Sequence, residues 1–378
     1  MTRVLFWSDS FWPLIGGVEV LGSKLVLALR DRGHEIAVVA LREEGLAAEE
    51  SYHGIPVHRF PFTQAATQRD VQLLAEARRD VAALKRRFRP DVVHVYHAGF
   101  DAIFHLTTVT AHPAPTICTI HGAFPDQSMS EQGTLSRLLH SAAWVTACSV
   151  AALETTRRQL PSITPRSSAI VNALEPVTVA ATPLPFDQPT LFCAGRLRTN
   201  EKGFDLVLAA IPELVARFPS LKLLIAGDGW VRPDLERQAA ELGVAGSVQF
   251  LGWVHPDRVT DLINEATVVL MPSRVPEGFG LIALQAAQLA RPVVATRVGG
   301  VHEAVVDGET GYLVPSENSA AIGRAIASLL SDPAHAITMG RAGQRRASDL
   351  FSWESHVSAY DELLQRVAES ATASVVSA

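Results

Sequence analysis

The segment 195–205, GRLRTNEKGFD, sets a guanidinium (Arg196) and an ammonium (Lys202) around a polar loop that ends on Gly203. An arginine fork and a lysine point charge together neutralise a diphosphate. A glycine at the entrance of a helix lets the helix amides face the same anion. The plainer reading is a solvated loop with a salt bridge to Glu201. The segment 276–285, PEGFGLIALQ, carries Glu277 just ahead of Gly278 and Gly280. A carboxylate in that position accepts hydroxyl hydrogen bonds from a polyol, and the glycine amides suit phosphate. Gln285 follows eight residues later, about two helical turns on and on roughly the same side. An ordinary first-turn acid favoured by the helix dipole is the plainer account of Glu277.

Weaker signals surround these two. Gly16 and Gly17 stand at a helix entrance, where small residues allow close approach of a ligand. They form neither a dinucleotide fingerprint nor a P-loop. His121 and Gly122 follow an apolar run, so the imidazole is either a ligand contact or a structural hydrogen-bonding group. Gly227, Asp228 and Gly229 read equally as a nucleotide contact and as a tight turn. Gly252, Trp253 and Val254 follow the next strand, where backbone groups read a nucleobase edge or Trp253 joins the core. His94, His97, His105 and His112 lie in one region, but the spacing is not that of a metal site. The run Lys85–Arg86–Arg87–Phe88–Arg89 ends a long helix. It suits the helix dipole, and it is also compatible with contact to an anionic membrane surface.

These residues must be positioned by strands and helices that the pattern makes legible. Short β-branched runs (Val4–Trp7, Ile36–Leu41, Val57–Phe60, Val92–Tyr96, Thr116–Ile120, Trp144–Ala147) alternate with helical stretches such as 18–32 and 69–88. The proline-rich segment 176–189 has no sustained pattern, and the rhythm restarts at Leu191–Ala194, Leu221–Ala226, Val248–Leu251, Val268–Met271 and Val293–Ala295. Alternation of this kind marks parallel sheets covered on both faces. The expected organisation is a first α/β domain over 1–175, a linker over 176–189, a second α/β domain over 190–350, and a terminal helix and tail over 351–378. Whether that helix packs back on the first domain is not decided by periodicity. Open parallel sheets bind ligands at the carboxyl ends of their strands, where the motifs above fall.

Composition narrows the classes. With 378 residues, 48% hydrophobic and 19% charged, the chain can bury large cores. A formal charge of −6 argues against a protein whose main task is to coat nucleic acid. Three scattered cysteines (Cys118, Cys148, Cys193) do not make a disulfide scaffold, and a reducing, intracellular compartment is expected. No signal peptide and no membrane span are expected either.

The ensemble resembles the retaining glycosyltransferases of family GT4, which adopt the GT-B fold of two facing Rossmann-like parallel-sheet domains with a cleft between them. The residues that carry the likeness are Gly16–Gly17, Gly195–Arg196 with Lys202–Gly203, Gly227–Asp228–Gly229, PSRVPEGFGLIALQAAQLARPVVAT, Gly299–Gly300 and DGETGYLV at 307–314. The resemblance implies a nucleotide-diphosphate sugar as donor, UDP- or GDP-linked, with the acceptor hydroxyl on a saccharide, a lipid-linked molecule or a small molecule. Arg196 and Lys202 match the donor diphosphate clamp. Glu277 matches the first of two spaced glutamates and holds sugar hydroxyls. Gly278, Phe279, Gly280 and Leu281 match the turn whose amides meet sugar or phosphate. His121 matches a histidine beside the donor sugar and reaction centre, and Gly16 and Gly17 match the loop that nears the phosphates. Gln285 departs from the pattern, standing where the family's second glutamate contacts ribose, and it forfeits a charge-assisted hydrogen bond.

The implied acceptor side is the first domain, with Phe11, Trp12, Phe100 and His121 as contacts. Phe62 and Phe104 are further aromatic candidates, and core packing competes for at least half of these rings. No essential metal and no nucleic-acid partner are expected. The expected location is the cytoplasm, with peripheral contact at the inner face of the membrane as an open reading. A nucleotide-sugar hydrolase or epimerase, or a non-catalytic sugar-nucleotide-binding protein, remains as an alternative at this stage.

Overall fold

A computed structural model describes residues 1–99, 101–122 and 133–376, with side chains as far as residue 371. The chain divides into two compact units, one of Met1–Val171 with Glu354–Ala378, the other of Asn172–Trp353. Each unit is built on one sheet.

In the first unit the strands are β1 (Arg3–Ser8), β2 (Glu35–Leu41), β3 (Glu49–Tyr52), β4 (Ile55–Phe60), β5 (Val92–His97), β6 (Thr116–Ile120), β7 (Trp144–Ala147) and β8 (Ser167–Ala169). Their order is β3-β4-β2-β1-β5-β6-β7-β8. Every pairing is parallel except β3 with β4. Val4, Leu5, Phe6 and Trp7 are fully buried, because parallel strands covered by helices have no solvent face. Strand β4 matches the expected run Val57–Phe60, but its hairpin partner β3 was not among the expected strands. Its signal is the His53–Gly54 pair, both at positive φ, which makes a two-residue hairpin turn.

The helix Trp353–Val376 supplies a buried stripe (Val357, Tyr360, Leu363, Leu364, Val367) to this first unit. His34 Nε2 pairs with Asp361 Oδ1 at 2.8 Å, and Tyr360 Oη lies 3.4 Å from Thr119 Oγ1.

In the second unit the strands are β9 (Thr190–Ala194), β10 (Lys222–Ala226), β11 (Val248–Gly252), β12 (Val268–Met271), β13 (Val293–Thr296) and β14 (Gly311–Val314). The order is β11-β10-β9-β12-β13-β14, and all pairings are parallel. The segment 176–189 forms no helix or ladder strand and is tied onto this unit by polar contacts. The Asn264 amide donates to Ala180 O at 2.9 Å and accepts from Thr182 N at 3.0 Å. Arg291, almost wholly buried, donates to Thr182 O at 2.7 Å and to Asn264 Oδ1 at 2.8 Å.

The basic run at 85–89 is not a uniform surface patch. Lys85 is fully buried. Its helix, Val71–Phe88, is capped by Asp70, whose Oδ1 accepts from Leu73 N at 3.0 Å. Lys85 Nζ donates to His105 O at 3.2 Å, lies 3.1 Å from His105 Nδ1, and sits 5.8 Å from the centre of the Trp7 ring. The helix turns this side chain inward while Arg87 remains exposed and pairs loosely with Glu49 at 3.9 Å.

Burial without a carboxylate partner lowers the Lys85 pKa from 10.5 to about 7. Between those values the unfolded chain holds the proton and the folded chain does not, so stability rises with pH across that window. Denaturant unfolding of the wild type and Lys85→Met between pH 7 and pH 10 checks this. The wild type should gain stability with pH relative to the variant, and parallel profiles would refute the buried neutral lysine.

Candidate active site

The second unit changes direction at one point. From β9 the chain runs outward through β10 to β11, then returns to β12 on the other side of β9. The loops after β9 and β12 therefore part, and the crevice between their carboxyl ends is the ligand position of an open parallel sheet. Lys202 follows β9 and Glu277 follows β12. Lys202 Nζ donates to Glu277 Oε1 at 2.6 Å, and the two side chains are 24% and 19% exposed. Ser273 Oγ donates to the same carboxylate oxygen.

The two loops are strapped together below that pair. Arg274 N donates to Glu201 O at 2.8 Å, and its guanidinium donates to Asn200 O at 2.9 Å. The same guanidinium binds Asp205 in a bidentate fork and reaches Glu317 Oε1 at 2.7 Å. Thr296 Oγ1, at the end of β13, donates to Ser273 O. Two glycines have no substitute here. A Cβ on Gly203, at φ +65°, would stand 2.1 Å from Pro272 O, and one on Gly299, at φ +52°, would stand 2.1 Å from Glu277 O. Ser273, Arg274, Thr296 and Gly299 all shape the site, yet sequence reasoning gave none of the four a role of its own. Their one signal was membership of the motifs that carry the family likeness, 272–296 and Gly299–Gly300.

The remaining residues of this edge take distinct positions. Arg196 is exposed and has no ion pair among the described residues. Gly278 is half-buried, Phe279 is buried with its ring against Phe351 at 5.2 Å, and Gly280, at φ +106°, caps the helix Leu281–Gln288. The Phe279 side chain is thus a packing element, and only its backbone can serve a ligand. Gln285 Nε2 donates to Thr260 Oγ1 at 2.7 Å. Gly195 and Gly227 pack backbone to backbone, for a Cβ on Gly227 would lie 1.9 Å from Gly195 O. Asp228 is committed locally: its carboxylate accepts from Gly229 N at 2.8 Å and from Arg232 at 3.2 Å. Trp253 is 61% exposed, which excludes a core role for it, and Val254 is half-buried beside it.

The first unit holds the other expected residues. Gly16 caps the helix Gly17–Asp31 in extended backbone. The space over its Cα is taken by Glu19, whose Oε2 would lie 2.2 Å from an added Cβ. The helix entrance therefore carries an acid of its own instead of standing open to phosphate. His121 follows β6, with its ring 4.3 Å from that of Tyr96. Among the described residues neither ring nitrogen has a hydrogen-bond partner of normal geometry, although the Tyr96 backbone lies close enough to favour the charged form slightly. Burial, reinforced by His97 and His94, holds its pKa well below the ordinary histidine value, so the imidazole is neutral. Phe11 does not offer a stacking surface. It is fully buried against Phe6 and Tyr52. Phe62 and Phe104 are buried as well, stacked 4.3 Å apart. Trp12 is 39% exposed and keeps an accessible ring, while Phe100 lies outside the described residues.

Two family models match, and they divide the chain as the units do. One, described as Glycosyltransferase Family 4, covers residues 15–173, and the other, Glycosyl transferases group 1, covers 188–332. The chain belongs to the family 4 glycosyltransferases. It is an enzyme that transfers a sugar from a nucleotide-sugar donor. A glycogen synthase of Mycobacterium tuberculosis is 28% identical over 383 residues, covering 93% of this chain and 92% of that protein. A GDP-mannose-dependent phosphatidylinositol monomannoside mannosyltransferase of Mycolicibacterium smegmatis is 38% identical over 184 residues, 47% of this chain and 48% of that one. Among solved structures, the sucrose-phosphate synthase of Thermosynechococcus elongatus has a TM-score of 0.82 at 21% identity, covering 97% of this chain and 99% of that one. Anabaena HepE, solved with UDP and glucose, has a TM-score of 0.79 at 21% identity, covering 97% and 100%. These likenesses show the fold, which is that of GT-B glycosyltransferases.

In this glycosyltransferase the backbone contact between Gly299 and Glu277 holds the carboxylate loop. Gly299→Ala should destabilise the enzyme by at least about 1 kcal/mol, because both the left-handed backbone and the contact are incompatible with a Cβ. Nucleotide-sugar binding should weaken with it. Thermal unfolding and a donor titration check both, and a variant equal to wild type in each would show that the loop is held by other means.

Proposed function

We propose that the enzyme transfers the sugar of a UDP- or GDP-linked donor to an acceptor hydroxyl with retention at the anomeric carbon, on a saccharide, lipid-linked or small-molecule acceptor. The observation that carries this reading is the Lys202–Glu277 pair at the crevice between β9 and β12. A half-buried cation beside a half-buried carboxylate suits a ligand that brings an anion and hydroxyls together, as a sugar diphosphate does. On binding, Lys202 exchanges the carboxylate for phosphate oxygen, and Glu277 exchanges the ammonium for sugar hydroxyls. Arg196, exposed on the same loop and without an ion pair among the described residues, joins Lys202 on the diphosphate. The family relation agrees with this, since HepE is solved with UDP and glucose and the mannosyltransferase is named as GDP-mannose-dependent.

The chemical demand is charge stabilisation in the transition state. The bond from the anomeric carbon to the diphosphate oxygen breaks, and negative charge grows on the β-phosphate, where Arg196, Lys202 and the amides of the 278–281 turn meet it. The bond from the acceptor oxygen to the same carbon forms on the same face, and the acceptor proton passes to the departing phosphate. The cations assigned to the diphosphate are side chains, so no essential metal enters the proposed step. Gln285, with its amide on Thr260, is assigned to the donor's ribose hydroxyls as a neutral hydrogen-bonding group.

Thermal shifts with UDP, GDP, ADP and their sugars, followed by product mass and anomeric analysis, test the reading. One nucleotide series should stabilise the protein, and the product should keep the donor's anomeric configuration. Arg196→Ala and Lys202→Ala should each lower kcat/KM by about 10²-fold or more, with activity retained in chelator. Nucleotide release that is independent of every acceptor, or full turnover in both variants, would sink it.

A further inference from the structure

In the second unit the helix Pro333–Leu350 packs against the helix Leu281–Gln288, which opens on Gly280. A Cβ on Gly340 would stand 2.1 Å from Ala290 O, and Gln344 Nε2 donates to Gln288 O at 3.0 Å. These contacts dock the helix from its middle. Arg346, half-buried nearer its end, makes contacts of another kind. Its Nη2 donates to Glu303 O at 2.8 Å, and its guanidinium carbon lies 5.6 Å from the centre of the Phe351 ring. A cation at that distance from an aromatic ring is attracted to it. The Phe351 ring in turn meets Phe279 edge-on, 5.2 Å between centres and 77° between planes.

Both contacts lead to Glu277. Phe279 stands in the turn between Gly278 and Gly280, two residues past the carboxylate. On the other side, Glu303 N donates to Gly300 O at 3.0 Å, and Gly300 N donates to Glu277 O at 2.8 Å. One guanidinium therefore backs the two segments that hold the Glu277 loop. Its own position is unfavourable. Arg346 Nε is buried without a hydrogen-bond partner, and no carboxylate pairs with the group among the described residues. A partly desolvated cation of this kind carries a penalty that an unbranched apolar side chain avoids. Fold stability thus gives no reason for an arginine here, whereas the two segments it braces do.

We propose that Arg346 is a positioning residue for the transfer reaction: through Phe351 and Phe279 on one side and Glu303 on the other, it fixes the Glu277 carboxylate for the donor's sugar. The inference rests on the reading of Glu277 as the group that holds sugar hydroxyls. The contacts of Arg346 run to the segments around Glu277 and not to the loop that carries Arg196. Its loss therefore weakens the hold on the sugar and spares the nucleoside diphosphate.

Titration calorimetry on the full chain tests it, with UDP against UDP-glucose and GDP against GDP-mannose as probes. Arg346→Met should weaken the sugar conjugate that binds by about fivefold or more and leave the bare diphosphate within about twofold. Phe351→Leu, which removes the middle ring, should repeat that pattern. Glu277→Gln should also weaken the conjugate, and adding Arg346→Met to it should cause little further loss, because both act through one carboxylate. Thermal unfolding should show Arg346→Met folded and close to wild type in stability. A conjugate affinity equal to wild type in folded Arg346→Met, while Glu277→Gln is impaired, overturns the positioning role alone. Equal weakening of conjugate and bare diphosphate, or full additivity in the double variant, overturns it too. A wild type that binds neither conjugate, or a Glu277→Gln variant that binds as wild type does, overturns the reading of Glu277 and the proposal with it.

Discussion

The contact between Lys202 and Glu277 governs the second unit's ligand edge. Two charges at about one-fifth exposure each would be costly alone, since each loses most of its water. Paired, each supplies what the other lost, and the pair as a whole is neutral. Because the partners arrive from strands β9 and β12, the pair also fixes the width of the crevice between them. The rest of the edge serves that spacing. Arg274 straps the two loops through Asp205 and two carbonyls, and Thr296 holds Ser273 from the next strand. Gly203 and Gly299 permit backbone contacts that a Cβ would block.

The first unit solves a different electrostatic problem. Its interior contains Lys85, His94 and His105, with His121 half-buried at the end of β6, and burial favours the uncharged form of each. Neutral imidazoles and a neutral amine still exchange hydrogen bonds, as His94 does with Thr119 and Lys85 with His105. The second unit instead keeps charged groups, Arg196 and the Lys202–Glu277 pair, at the carboxyl ends of its strands.

Much of this was legible before the structure, and for physical reasons. β1, β2, β5, β6, β9, β10, β12 and β13 stand out because strands buried on both faces need continuous β-branched runs. Edge strands β3 and β14 did not, since EESY and GYLV carry no such run. Glu277, Lys202, Gly278 and Gly280 drew attention because charges next to glycines at helix entrances recur at anion sites, and the structure brings Lys202 and Glu277 together. The contacts of Ser273, Arg274 and Thr260 were not, although the first two lie in a quoted motif, for a serine, arginine or threonine in a loop or helix is ordinary until its partner is known.

The sequence by itself determined the class of chemistry and the two-part α/β plan. Residue type sets the charge and hydrogen-bonding capacity, and periodicity sets which elements form. Only the tertiary structure decided which groups are available. It sent Phe11 and Lys85 inward, left Trp253 and Arg196 outside, committed Asp228 to Arg232, and placed Asp9 beside His97 across 88 positions of sequence. Those outcomes depend on strand order. Parallel strands that are neighbours in the sheet need not be neighbours in the chain, so the contacts at their ends follow from topology and not from local spacing.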